Sequence, residues 1–285
     1  MTETIGFIKK SLEGMYTETE TQCFVRMIME GVCGLRPYQL LMGAKGKELS
    51  VIEKQAVGRA VERLRQWEPV QYVLGRTSFY GLPFMVDRRV LIPRPETEEL
   101  VALIAGDHSS GREPARVLDI GTGSGCIAVA LALNLPGSEV VAADLYDDVL
   151  SLAGENAVMN NAVVSFVRTD ILSPARAVSD IEGTFDIIVS NPPYVMESEK
   201  ADMERNVLLY EPPQALFVPD SDPLTFYHAI ASLSAAKLRE GGTLYLEVNS
   251  LLAKETAAAL AAHGYAKIKI IQDLSGKDRI IKAMI

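Results

Sequence analysis

Val117-Leu118-Asp119-Ile120-Gly121-Thr122-Gly123-Ser124-Gly125-Cys126-Ile127-Ala128-Val129-Ala130-Leu131-Ala132-Leu133 decides the fold. Its first four residues form a short apolar run, the pattern of a buried strand. From Cys126 onward the chain reads as a helix packed on a sheet. The glycines between them permit a tight turn and let a ligand approach the backbone. Strand, glycine turn and helix make the nucleotide-binding arrangement. Nicotinamide and flavin enzymes share it, but the dinucleotide pattern fails at its third glycine, where Cys126 stands. A pyrophosphate at this helix N-terminus is therefore disfavoured.

Three further strands follow. Glu139-Val140-Val141-Ala142-Ala143 ends at Asp144. A carboxylate there can accept both hydroxyls of a ribose, or it can cap the next helix. Val163-Val164-Ser165-Phe166-Val167 ends near Asp170 and Ile171. Asp170 can accept from an adenine amino group and Ile171 can pack on the ring, or both can serve only the loop. Phe185-Asp186-Ile187-Ile188-Val189-Ser190 runs directly into Asn191-Pro192-Pro193-Tyr194. Two prolines stop that strand, because neither can donate to a ladder. The C-terminal ends of strands are where open α/β sheets bind ligands. The Asn191 side-chain oxygen and the Pro192 carbonyl can take the two hydrogens of a planar NH2 group. Proline restricts the residue before it to extended conformations, so Asn191 and Pro192 are both pre-set. Tyr194 offers a face for stacking. The plainer alternative is a strand-ending turn with a packed tyrosine.

Gly-x-Gly-x-Gly, an acidic end to the second strand and Asn-Pro-Pro-Tyr after the fourth resemble the S-adenosylmethionine-dependent amino-methyltransferases. Further segments narrow this. They are Glu68-Pro69-Val70-Gln71-Tyr72-Val73-Leu74-Gly75, Phe79-Tyr80-Gly81 and Val90-Leu91-Ile92-Pro93-Arg94-Pro95-Glu96-Thr97-Glu98. Tyr210-Glu211-Pro212 and Asp273-Leu274-Ser275-Gly276-Lys277-Asp278-Arg279 complete the set. Together they look like the HemK/PrmC family, the protein-(glutamine-N5) methyltransferases of peptide chain release factors. The resemblance runs from about Glu68 to the C-terminus, and the helical N-terminal segment also fits it.

That resemblance implies an α/β fold, a Rossmann-like class I methyltransferase with a seven-stranded mixed sheet and a small N-terminal helical bundle. It implies S-adenosyl-L-methionine as methyl donor, with S-adenosyl-L-homocysteine as product. The implied substrate is the Gln of the Gly-Gly-Gln motif in class I release factors. Implied cofactor contacts are Gly121, Thr122, Gly123, Ser124, Gly125, Asp144, Asp170, Ile171 and Asn191, with Arg94 and Thr97 on a covering loop. Asn191, Pro192, Pro193 and Tyr194 would hold the substrate, and Asn191, Pro192 and Tyr194 would carry catalysis. Tyr210 and Glu211 would shape the pocket mouth, and the alternative to a covering role for Arg94 is an ion pair with Glu96 or Glu98. Two departures from the family pattern stand out. Asp222-Pro223-Leu224 replaces Asp-Gly-Leu, and Glu247-Val248-Asn249 replaces Glu-Ile-Gly. Both are expected in surface loops, with Asn249 keeping a left-handed turn and Pro223 in the first turn of a helix.

An amide nitrogen is a poor nucleophile, because its lone pair is delocalised into the carbonyl. No histidine or lysine stands beside Asn191-Pro192-Pro193-Tyr194. Positioning, rather than general-base chemistry, is the expected source of catalysis. The alternative reading is a nucleic-acid amino-methyltransferase acting on the exocyclic NH2 of adenine or guanine. It requires an unstacked base and a basic channel. A net charge of −9 argues against general nucleic-acid binding.

The 285 residues suffice for one ordinary domain and a smaller one. Residues 1–71 read as a helical bundle that docks a macromolecular substrate, 72–90 as a linking hairpin, and 91–285 as the catalytic domain. Thr19-x-x-Gln22 and Ser50-x-x-Glu53 have capping-box spacing, with breaks at Gly31 to Gly34 and Gly43 to Gly46. The hairpin turn is expected at Gly81-Leu82-Pro83, and a helix over 222–239 ends at Gly241-Gly242. The last two strands, 267–271 and 279–284, form a closing hairpin. No apolar run reaches membrane-span length, and the start lacks signal-peptide character. Three cysteines without a close pair fit a reducing cytoplasm, and the three histidines show no metal-ligand spacing. The protein is expected to be a monomer without a metal.

Overall fold

The computed structural model describes residues 1–35, 48–108 and 114–285. The break expected at Gly43 to Gly46 lies outside the described residues. The chain forms two compact units, Met1–Arg76 with Glu204–Tyr210, and Thr77–Met203 with Glu211–Ile285.

The first unit is helical, with helices at Thr2–Leu12, Glu18–Cys33, Val51–Arg65 and Val70–Leu74. Ile8, Leu12, Ile28, Met29, Val61 and Leu64 supply a fully buried apolar core. Ser50 caps its helix in a reciprocal box with Glu53, as the spacing predicts. The other box is formed by Thr17 and Glu20 rather than Thr19 and Gln22. Its helix begins two residues earlier, and Gln22 instead donates to Glu18 one turn back. A carboxylate at the third helical position also accepts the cap N–H more strongly than an amide would. The short helix Arg205–Tyr210, distant in sequence, belongs to this unit. The Arg205 guanidinium lies 5.5 Å from the Trp67 ring centre, and the Tyr210 hydroxyl donates to the Gln66 carbonyl at 2.8 Å.

A hairpin of Arg76–Phe79 (β1) and Leu82–Met85 (β2) follows, and all of it beyond Arg76 belongs to the second unit. Its turn residues are Tyr80 and Gly81, with φ of 52° and 75°, one step ahead of the expected Gly81-Leu82-Pro83. Two consecutive positive φ values match the twist of a two-residue hairpin loop. A tyrosine there is uncommon, and the Tyr80 N–H is held by the Glu98 carboxylate at 2.8 Å.

Parallel strands Arg116–Ile120 (β3), Glu139–Asp144 (β4), Val164–Arg168 (β5) and Phe185–Ser190 (β6) follow. Val195–Met196 (β7) and Phe217–Val218 (β8) form a separate short pair. Leu238–Glu247 (β9), Ala266–Gln272 (β10) and Asp278–Met284 (β11) complete a seven-stranded mixed sheet. Its order is β10-β11-β9-β6-β3-β4-β5, with β11 antiparallel to both neighbours. Side chains alternate across this sheet with period two. Leu118, Ile120, Val141, Ile188 and Leu244 pack on one face, and Val117, Val140, Ile187, Val189 and Tyr245 on the other. Helices cover both faces, which is the layered α/β architecture that the resemblance implies. The helix expected over 222–239 spans Thr225–Lys237, and Gly241-Gly242 lie inside β9 instead of ending it. Pro223 stands just ahead of that helix. Strand order reverses at β3, so β4 lies on one side and β6 on the other. The crevice at their C-terminal ends is a topological switch point.

Candidate active site

Each parallel strand delivers one element of the site at its C-terminal end. After β3 the turn Gly121-Thr122-Gly123-Ser124-Gly125 leads into the helix Cys126–Asn134. All three glycines have positive φ, at 71°, 54° and 79°. At Gly121 and Gly123 an added Cβ would meet nothing within 4 Å, so their backbone faces open space. At Gly125 it would lie 3.1 Å from the Ala153 Cβ and 3.3 Å from its Cα. Gly125 therefore packs the loop onto the helix Asp147–Met159. Gly125→Ala should destabilise the fold by about 2–4 kcal/mol, through left-handed strain plus overpacking. Gly121→Ala should cost about 1–2 kcal/mol, through strain alone. Urea unfolding of the two variants checks this, and equal losses would contradict it.

Beneath the loop, Asp119 is fully buried and accepts the Thr122 hydroxyl at 2.6 Å. Burial pushes its carboxyl up to about 7, against hydrogen bonds from Thr122 and the Ala128 backbone. Asp144 at the end of β4 accepts from the Gly123 N–H at 3.0 Å, Leu145 N–H at 2.8 Å and Tyr146 N–H at 3.3 Å. The following helix is capped without any side chain, so the capping alternative for Asp144 does not hold. Asp144 instead ties the glycine loop to the second strand. Asp170 accepts from the Leu172 N–H and the Ser173 hydroxyl.

A cleft of about 280 Å³ opens over these residues. Arg94, Thr97, Gly121, Thr122, Gly123, Ser124, Asp144, Asp170, Ile171, Asn191 and Pro193 all line it. Gly125, Pro192 and Tyr194 do not. Pro192 is buried, and the Tyr194 ring packs on the sheet core with its hydroxyl on Glu247 at 3.0 Å. The stacking face expected of Tyr194 is therefore turned to the core. Leu145, Tyr146, Leu172 and Phe226 also line the cleft and are not read from the sequence, and Val90 and Leu91 line it although the sequence marks them only through the resemblance.

Arg94 pairs with neither Glu96 nor Glu98. Its guanidinium donates to Glu211 at 2.6 Å, and the other Glu211 oxygen accepts the Ile92 N–H at 3.1 Å. Glu211 is buried and pins the loop that carries Arg94, rather than forming the mouth of the cleft.

Thr97 stands in the first turn of the helix Pro95–His108 and is buried. Its hydroxyl donates to Glu247 at 2.7 Å and accepts the Asn191 Nδ2–H at 3.1 Å. The Asn191 Oδ1 accepts nothing from the described residues. Glu247, at the end of β9, is buried. Burial raises its carboxyl above the ordinary glutamate value, against hydrogen bonds from Thr97 and Tyr194 and the nearby Arg279 charge. Asn249 is buried too, and its backbone is not left-handed. Its amide donates to the Tyr194 carbonyl at 3.1 Å and to Glu199 at 2.9 Å. This departure from the family pattern sits behind the Asn-Pro-Pro-Tyr turn, not in a surface loop.

The arrangement presents an amide oxygen beside an open glycine backbone, two carboxylates and apolar walls. No histidine or lysine lines the cleft among the described residues. Such a site can bind a nucleoside-like group and hold a planar NH2, and its two carboxylates are already engaged by backbone N–H groups of the surrounding loops.

Comparisons with known proteins bear on both units. The PrmC N-terminal domain family model matches residues 5–75, and the Methyltransferase small domain model matches residues 105–217. A release factor glutamine methyltransferase of Bacteroides thetaiotaomicron is 42% identical over 284 residues, covering 99% of each chain. One from Flavobacterium psychrophilum is 42% identical over 275 residues, covering 96% of this chain and 95% of the other. Among solved structures, a methyltransferase from Pyrococcus furiosus is similar with a TM-score of 0.53 at 19% identity. That match covers 73% of this chain and 90% of the other. The T. thermophilus 16S rRNA N2 G1207 methyltransferase, in complex with AdoMet and guanosine, gives a TM-score of 0.53 at 18% identity. It covers 73% of this chain and 49% of the other. At those identities the two structures establish the fold alone.

Proposed function

The chain belongs to the release factor glutamine methyltransferase family, and from that premise we propose that it methylates the side-chain amide nitrogen of a release factor glutamine. The methyl donor is S-adenosyl-L-methionine and the product S-adenosyl-L-homocysteine. The substrate is the Gln of the Gly-Gly-Gln motif in class I peptide chain release factors. The observation that carries this reading is Asn191, which lines the cleft with its Nδ2 bound by Thr97 and its oxygen left without a donor among the described residues.

The residues present fit the cofactor. The Gly121 and Gly123 backbone is open to a ligand, and Asp144 and Asp170 are acceptors at the ends of the second and third strands. Asp144 would hold the ribose hydroxyls, Asp170 the adenine amino group and Ile171 the ring face, with Arg94 on the covering loop. Bound there, S-adenosyl-L-methionine supplies an electrophilic sulfonium methyl. Asn191 Oδ1 accepts an N–H of the substrate amide, and it thereby aims the nitrogen and stabilises the positive charge that develops on it. Pro192, whose carbonyl is the other expected acceptor, is buried and does not line the cleft. The nitrogen loses its proton to water afterwards. The protein acts as a cytoplasmic monomer without general affinity for nucleic acid.

Transfer of labelled methyl to a class I release factor tests this. A Gln-to-Ala change in the factor's motif should abolish labelling. Labelling that persists without that Gln, or that goes to RNA or DNA instead, would overturn the assignment.

The helical unit is the docking element for the protein partner, since a single glutamine pocket gives too little contact area for a macromolecule. Removing residues 1–76 should lower kcat/KM on the intact factor at least about tenfold more than on a short Gly-Gly-Gln peptide. Circular dichroism first establishes that the shortened chain is folded. Equal losses on both substrates would make the helical unit a support for the site rather than a docking element.

A further inference from the structure

Resting on the reading above, we propose that Thr97 and Glu247 are positioning residues that fix which end of the Asn191 amide faces the acceptor nitrogen. The two ends of an asparagine amide are nearly equal in shape, and only their hydrogen-bond partners distinguish them. For the proposed reaction they are opposite. Oδ1 toward the cleft accepts an N–H of the substrate amide, whereas Nδ2 toward the cleft presents a donor to a donor. An amide free to flip would populate the wrong end.

The direction is set by Thr97 at the edge of the cleft and by Glu247 behind it. A carboxylate can only accept, so Glu247 takes the single proton of the Thr97 hydroxyl at 2.7 Å. Having donated that proton, Thr97 can only accept from Asn191, which it does from Nδ2 at 3.1 Å. Oδ1 is thereby directed away from Thr97. The second Glu247 oxygen accepts from the Tyr194 hydroxyl at 3.0 Å, so one carboxylate orients both ends of Asn191-Pro192-Pro193-Tyr194. Burial raises the carboxyl of Glu247, while the Thr97 and Tyr194 hydrogen bonds and the nearby Arg279 charge oppose that shift, and Arg279 is held in place by Asp273 at 3.3 Å. Thr97 and Glu247 are both almost fully buried, although Thr97 borders the cleft, so the bond between Thr97 and Glu247 has little competition from water. The members of the relay come from the helix Pro95–His108, the turn after β6 and the end of β9.

The test uses the full-length chain and three nearly isosteric variants. Thr97→Val removes the hydroxyl, Thr97→Ser keeps it, and Glu247→Gln keeps the shape but introduces a donor that permits a reversed relay. Steady-state methylation of a Gly-Gly-Gln peptide gives kcat and KM, calorimetry with S-adenosylhomocysteine gives cofactor-site affinity, and thermal melting reports folding. Thr97→Val and Glu247→Gln should lower kcat by about 10–100-fold, with KM and cofactor-site affinity within about threefold of the unaltered chain. Thr97→Ser should recover most of the loss. Thr97→Val placed on Asn191→Ala should lower kcat no further, because the relay acts only through that amide. A role in packing alone would lower kcat in that background as well, and this result would overturn the relay. Unchanged kcat in a folded Thr97→Val variant would overturn it too, while leaving the proposed function standing. Failure of the unaltered chain to methylate the peptide or the intact factor would overturn both. If Glu247→Gln melts early, the two Thr97 variants decide the matter.

Discussion

Asn191→Ala should lower methyl transfer to the glutamine amide by about two to three decades while leaving S-adenosylhomocysteine binding largely intact. The expectation rests on what the side chain does in the cleft. Its Nδ2 is occupied by Thr97, and its oxygen is the one side-chain acceptor that the strand-ending turn offers beside the glycine loop. An oxygen that accepts from an N–H accepts more strongly once that nitrogen becomes positive. The contact therefore contributes more in the transition state than in the ground state, which is the condition for raising kcat rather than lowering KM. Truncation to Ala also leaves the Thr97 hydroxyl oxygen without its donor, at about 1 kcal/mol in stability. That is too small to unfold an ordinary domain. Single-turnover transfer with saturating cofactor measures the chemical step, and calorimetry measures binding. Transfer at the rate of the unaltered chain would sink the assignment. Loss of S-adenosylhomocysteine affinity in proportion to the loss of rate would make Asn191 a cofactor contact instead.

What was legible in the chain was local. Gly121 to Gly125, Asp144 and Asn191 each follow a strand directly, and a parallel sheet brings the C-terminal ends of its strands together whatever separates them in sequence. Recognising the strands therefore assembled most of the cleft. The relay behind it was not legible, because Thr97 and Glu247 lie 150 residues apart and each has an unremarkable local setting. From the sequence alone Thr97 belongs to the loop covering the cofactor and Glu247 to a surface loop, so neither points to the other. Only burial of both makes the pair meaningful. Asn249 was misjudged for a related reason. A residue replacing glycine invites a backbone argument, yet here its side chain secures the Tyr194 carbonyl. Tyr194 itself has the composition of a stacking residue, and its direction is set by Glu247 rather than by the tetrapeptide. Arg205–Tyr210 escaped notice because six residues are too few to show helical periodicity, and packing in the helical unit supplies the stability they lack alone.

Asp144→Ala should weaken S-adenosylhomocysteine binding by about 10–100-fold, from roughly 1.5–3 kcal/mol of charge-assisted hydrogen bonding, and should slow the saturated complex much less. Two contributions combine. The carboxylate would lose its bonds to the ribose hydroxyls, and the Gly123 N–H would lose the acceptor that holds the glycine loop against the second strand. Asp144→Asn separates them, because its amide oxygen can still accept from one N–H while the negative charge is gone. An intermediate affinity is therefore expected for Asn. The pH dependence gives an independent check. Burial holds the Asp144 carboxyl above the ordinary aspartate value, with backbone N–H bonds from Gly123, Tyr146 and Leu145 pulling it back. Protonation removes acceptor capacity, so affinity should be full above the raised pKa and fall as pH drops through it. The decline should start at a higher pH than an unperturbed aspartate would give, and it should be absent in Asp144→Asn. An unchanged dissociation constant in Asp144→Ala would confine this carboxylate to closing the loop, and ribose recognition would then have to come from elsewhere in the cleft.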